Sequence, residues 1–108
     1  MDSLLFFYRC EVERVVDGDT LIARIDLGCN VWFRTRVRFA NVNCPSLSTQ
    51  EGKMAKNFTE AFIKNAEKTY VKILKKGKYG RWIVNFFNEK GDCLNDLLLI
   101  EGYATPYS

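Results

Sequence analysis

The chain contains no histidine. That removes at once the commonest general base and the commonest zinc ligand. Its four cysteines, Cys10, Cys29, Cys44 and Cys93, include no C-x-x-C pair that would anchor a metal site. They read as reduced, partly buried thiols of a cytoplasmic protein, not as a disulfide framework. Long apolar runs are missing too. Residues 4–8 form the longest, far short of the ~20 residues that a membrane helix needs. The same run is too short for a secretory signal and lacks a basic flank. No membrane partner is expected. There are only two prolines, Pro45 and Pro106, and no low-complexity stretch. Nothing therefore divides the 108 residues, and 1–108 reads as one domain.

Hydrophobic residues make up 47% and aromatic residues 14%, which is too apolar for a disordered chain and enough for one modest core. The net charge of +3 is weak, but its distribution is uneven. Residues 64–81 carry Lys64, Lys68, Lys72, Lys75, Lys76, Lys78 and Arg81 against a single acid, Glu67. Arg34, Arg36 and Arg38 form a second group at alternating positions. One such cluster is usually a solvated face; two in a small domain point toward a polyanion.

Residues 5–16 are rich in aromatic and β-branched types and predict a strand. Asp17-Gly18-Asp19 is a turn signal. Residues 20–27 alternate, with Leu21, Ala23, Ile25 and Leu27 on the inner face. After a turn at residues 28–30, residues 31–40 alternate again, placing Val31, Phe33, Thr35, Val37 and Phe39 together. This predicts an antiparallel meander without bulges. Ser48 and Glu51 fit a capping box, as N-cap and N3 of a helix that runs to about Ala66. Met54, Ala55, Phe58, Ala61, Phe62 and Asn65 mark its expected buried stripe. Strands are predicted at 69–74 and 81–87, joined by a basic turn at 75–80. A short helix at 94–101 ends before Gly102. Three strands, a helix, two strands and a helix are the order of an OB-fold: a five-stranded β-barrel of the α+β type, with one helix between strands three and four and another at the C-terminus.

Four segments carry a resemblance. Val15-Val16-Asp17-Gly18-Asp19-Thr20, residues 38–46, Lys78-Tyr79-Gly80-Arg81 and residues 94–104 resemble, in order and spacing, the motifs of the staphylococcal nuclease (thermonuclease) family. The resemblance implies the OB-fold, and a phosphodiester hydrolase acting on DNA and RNA with bound calcium. It implies that Asp19 is a metal-ligand aspartate and that Cys44 offers its carbonyl to the metal. It implies that Arg38 and Arg81 are the catalytic arginines, which stabilise charge growing on the phosphoryl oxygens. Tyr79, with Lys78 and Arg36, would contact the nucleic acid. Two positions depart from the pattern. Asn43 stands where the family has its second ligand aspartate, a change similar to that in phage and bacterial members. Ser46 occupies the position of the general-base glutamate.

These changes turn a site of three carboxylates and two arginines into Asp19 against Arg38 and Arg81. A hard cation prefers carboxylates, so calcium binding is expected to be weakened. A serine hydroxyl is no base at neutral pH without help, and no histidine supplies any. Glu51 is close in sequence but has a capping job to explain it. Three readings follow: a nucleic-acid-binding protein with weak or lost hydrolysis, an active metal-dependent phosphodiesterase, and a protein-interaction or inhibitor module on a nuclease fold. Trp32 or Trp82 could stack on bases in the first.

Overall fold

A computed structural model describes residues 6–107 of the chain. Its elements are β1 (Phe7–Asp17), β2 (Thr20–Asp26), β3 (Trp32–Phe39), β4 (Val42–Asn43), α1 (Gln50–Asn65), β5 (Thr69–Lys76), β6 (Trp82–Asn88), α2 (Leu94–Ile100) and β7 (Thr105–Pro106). Strands β1, β2, β3, β6 and β5 close into a barrel in that order. All pairings are antiparallel except β3 with β6, which run parallel. The five-stranded barrel with one helix between β3 and β5 and a second near the C-terminus is the OB-fold arrangement.

The alternation in β2 becomes the barrel wall. Leu21, Ala23 and Ile25 are fully buried and meet Val37, Phe39, Val71, Val84 and Phe86 in one core, which α2 closes with Leu94 and Leu98. The alternation fails at the far end of the β2–β3 hairpin, where Leu27, Val31 and Phe33 are exposed rather than inside. The reason is topological. β3 pairs with β2 from Trp32 to Arg38 but with β6 only over Val37–Phe39, so its first half projects past the barrel. Nor is the meander free of bulges: β1 shifts register twice against β2, between Val12 and Arg14 and between Val15 and Asp17. Leu5, the expected first residue of the opening strand, lies outside the described residues. The two-residue pair β4–β7 was not expected.

Helix α1 is capped by Thr49, not Ser48. The Thr49 hydroxyl accepts from the Gly52 N–H at 3.0 Å, while Ser48 bonds the Ser46 hydroxyl instead. Glu51 therefore falls one position short of a capping box. The buried face also differs from the expected stripe. Gly52, Ala55 and Thr59 are innermost, Phe58, Phe62 and Ile63 are half-buried, and Met54, Ala61 and Asn65 face solvent. Small residues let this face press on two loops at once. The Thr59 hydroxyl donates to the Gly18 carbonyl at 2.7 Å, and Gly52 lies against residues 45–46. A Cβ on Gly52 would stand 1.9 Å from the Ser46 carbonyl oxygen. Gly52→Ala is thus expected to destabilise the fold by about 3 kcal/mol through overpacking against backbone, read as a lowered urea midpoint. A variant as stable as wild type would mean that α1 does not sit this close to the loop.

Candidate functional site

Three junctions of the barrel bring the site together. The Asp17-Gly18-Asp19 turn joins β1 to β2, and Thr20 pairs with Arg38 across the β2–β3 ladder. The Phe39 N–H donates to the Asp19 carbonyl at 2.9 Å, which fixes this turn beside the end of β3. The parallel pairing of Val37 with Trp82 then sets the start of β6 alongside, and with it Arg81. Residues that are 19 and 62 positions from Asp19 in the chain thus converge on one end of the barrel.

Asp19 is buried, and all its bonds are local to the site. Its Oδ1 accepts from the Thr20 hydroxyl at 3.0 Å and its Oδ2 from the Cys44 N–H at 2.9 Å. Arg38 pairs with the same Oδ2 at 3.6 Å. The Arg38 guanidinium also donates to the carbonyls of Val42 (2.9 Å) and Phe39 (3.1 Å), and to the Asn43 amide oxygen at 3.4 Å. Such a web holds the guanidinium in one orientation. The structure thus brings Asp19, Arg38, Asn43 and Cys44 together. Ser46 is not tied into this web: it is exposed, and its hydroxyl bonds that of Ser48 at 3.0 Å.

Beside this web opens a cleft of about 420 Å³. Arg38, Lys75, Lys76, Lys78 and Arg81 line it together with Tyr107, and among the described residues no carboxylate does. Arg81 lies 5.8 Å from the Tyr79 ring centroid. Tyr79 itself is 90% exposed, thrown outward by a left-handed backbone at φ 62° and followed by Gly80 at φ 74°. Arg36 is exposed on β3 and does not line the cleft.

Sequence reasoning passed over four participants. Asp17 was read only as a turn residue. Its Oδ1 accepts from the Asp19 N–H at 3.2 Å. Burial, and then the neighbouring Asp19 carboxylate, push its carboxyl up to about 6. Two aspartates two residues apart in one tight turn were the available signal. Tyr107 stacks its ring 5.1 Å from the Arg38 guanidinium, and no sequence signal marked it, because it reaches the site through the β4–β7 pair. Lys75 and Lys76 were expected in the basic turn; they instead end β5, and from there they line the cleft.

The donors suit a calcium ion poorly. Calcium takes six to eight oxygens, with carboxylates foremost. Among the described residues no three His, Cys, Asp or Glu side chains group to hold a metal. Of the two carboxylates, one is engaged with Arg38 and the Cys44 amide, and the other accepts from the Asp19 N–H. The Asn43 amide oxygen also faces Arg38, and the Thr20 hydroxyl is spent on Asp19.

A family model described as staphylococcal nuclease homologue matches residues 36–108. The chain belongs to this family. The chain is also 32% identical, over 93% of its length, to part of the endonuclease YhcR of Bacillus subtilis (strain 168), and it spans 9% of that protein. Membership of this family accords with the five-stranded barrel and its two helices. Among the described residues, no helix is long and apolar enough to cross a membrane.

The cysteines report on the site's packing. Burial, followed by the charges of Asp19 and Asp17, pushes the Cys44 thiol up to about 12. Burial pushes Cys10 to about 11. A raised pKa leaves little thiolate at pH 8, and thiolate is the reactive form. Iodoacetamide at pH 8 is therefore expected to modify exposed Cys29 first, with Cys10 and Cys44 protected until the protein unfolds. Peptide mapping over time checks this. Equal rates at Cys44 and Cys29 would mean that the loop beside Asp19 opens freely.

Proposed function

We propose that this nuclease-family chain binds nucleic acid through its phosphates in the cationic cleft, without needing calcium, and that its hydrolysis is weak or lost. The observation carrying this reading is the cleft lining: five cations and, among the described residues, no carboxylate, with one of the five, the Arg38 guanidinium, already oriented by carbonyls. Arginine binds phosphate through paired N–H donors, and lysines add unspecific attraction. Exposed Tyr79 offers a ring for a base. Weak hydrolysis follows from Ser46, whose hydroxyl bonds that of Ser48 and not a carboxylate, and from the carboxylate-poor donor set. Loss of a general base typically costs ~10²–10⁴-fold in rate. An active phosphodiesterase is the second reading, favoured by the retained Asp19–Arg38 pair.

Binding of a fluorescent oligonucleotide in EDTA tests the first reading. Affinity is expected to persist without divalent metal and to fall linearly in log–log form as salt rises. Arg81→Ala is expected to weaken it about tenfold, as for loss of a charged hydrogen bond. Arg81 is the better probe because Arg38 also braces the backbone. Affinity insensitive to both salt and Arg81→Ala would sink the proposal.

A further inference from the structure

The hairpin that overshoots the barrel carries an aromatic surface with no role in the site. Phe33 is 41% exposed, and it meets the half-buried ring of Trp82 edge-on at 6.4 Å. Lys76, which lines the cleft, holds its ammonium 5.8 Å from the Trp82 ring centroid. Lys76 and Trp82 are also register partners across β5 and β6. The cationic cleft and the Trp82–Phe33 pair are thus joined through one residue. The opposite face of the hairpin differs in charge: Arg24 and Arg34 there are neutralised by Glu11 and Glu13. Among the described residues, no carboxylate pairs with Lys75, Lys76, Lys78 or Arg81.

We infer that the Lys76–Trp82–Phe33 surface extends the binding site, and that it takes the unstacked bases of a single-stranded nucleic acid whose phosphates lie in the cleft. The inference rests on the proposed phosphate binding. Charge complementarity selects this occupant. A polyanion drawn to the cleft cations passes Lys76, and beyond it the surface changes from charge to aromatic rings. Alternation of cations with flat rings suits a strand whose backbone is anionic and whose bases expose π-faces. A ligand too short to leave the cleft reaches none of the rings.

The test compares a dinucleotide with a 12-residue single-stranded oligonucleotide, both titrated in EDTA at low salt, against wild type and Phe33→Ser. The ratio of 12-mer to dinucleotide affinity is expected to fall about fivefold or more in the variant, the lower end for one base–aromatic contact. Arg81→Ala is expected to weaken both ligands. A second measurement does not depend on Phe33→Ser folding. In Trp32→Phe, whose remaining tryptophan is Trp82, the 12-mer should quench fluorescence and the dinucleotide should not. An unchanged ratio without quenching would overturn the inference and leave the apolar hairpin to a protein partner. Wild type binding neither ligand would instead overturn the phosphate-binding reading beneath it, and this inference with it.

Discussion

The double variant Asn43→Asp with Ser46→Glu is expected to gain calcium-dependent cleavage of single-stranded nucleic acid, by a factor on the order of 10² or more over the wild-type chain. Asp17, Asp19, Arg38 and Arg81 balance to zero formal charge, two of each sign. Two new carboxylates take that to −2, which a hard divalent cation favours. The positions accept them. The Asn43 amide oxygen already stands 3.4 Å from the Arg38 guanidinium, so a carboxylate of the same shape gains a charged partner there. Ser46 is exposed, and its hydroxyl contacts only the Ser48 hydroxyl and N–H, so a longer side chain meets no packed neighbour. Groups that act as a unit are not additive, and either single change is expected to recover far less than the pair. Turnover of a quenched fluorescent oligonucleotide, in calcium and in EDTA, reads the result. A folded double variant with no gain in calcium would show that residues 43–46 do not face the Asp19–Arg38 pair productively.

The largest stability effect is expected at Asn95. Its side chain is buried on α2 and donates to the carbonyls of Ala40 (3.0 Å) and Val84 (3.1 Å), while its oxygen accepts from the Phe86 N–H at 3.0 Å. One amide thus ties α2 to β6 and to the backbone just beyond Arg38. Asn95→Ala leaves the Phe86 donor and the Ala40 acceptor without this partner inside the core. Each buried orphan costs about 1–3 kcal/mol, so a loss of about 3 kcal/mol or more is expected by urea denaturation. Binding should weaken with it, because Ala40 lines the cleft. A loss below about 1 kcal/mol would mean that water or backbone replaces the amide.

The barrel was legible because its strands obey period two where they are flanked on both sides. β2 has Leu21, Ala23 and Ile25 all inside, although Thr20 and Ile22 of its other face are buried as well. The same periodicity misled at Val31 and Phe33, since alternation tells which face a side chain takes but not how far the neighbouring strand extends. For α1, hydrophobic spacing picked out Ala55 correctly but also favoured Met54 and Ala61, whereas close approach to the site loops selected Gly52 and Thr59 beside Ala55. Size, not hydrophobicity, decided that face. In the site, the grouping of Asp19, Arg38, Asn43 and Cys44 could be read from the four motif segments, since these residues do lie together. Asp17 was hidden by its own turn signal, and Tyr107 depends on a two-residue strand pair too short to have a pattern.

The most direct measurement follows one fluorescent single-stranded oligonucleotide with the wild-type protein, recording bound fraction and intact length together in calcium and in EDTA. Equal binding is expected in both, with the oligonucleotide remaining intact or cut only slowly in calcium. Rapid cutting in calcium, or binding that vanishes in EDTA, would contradict it.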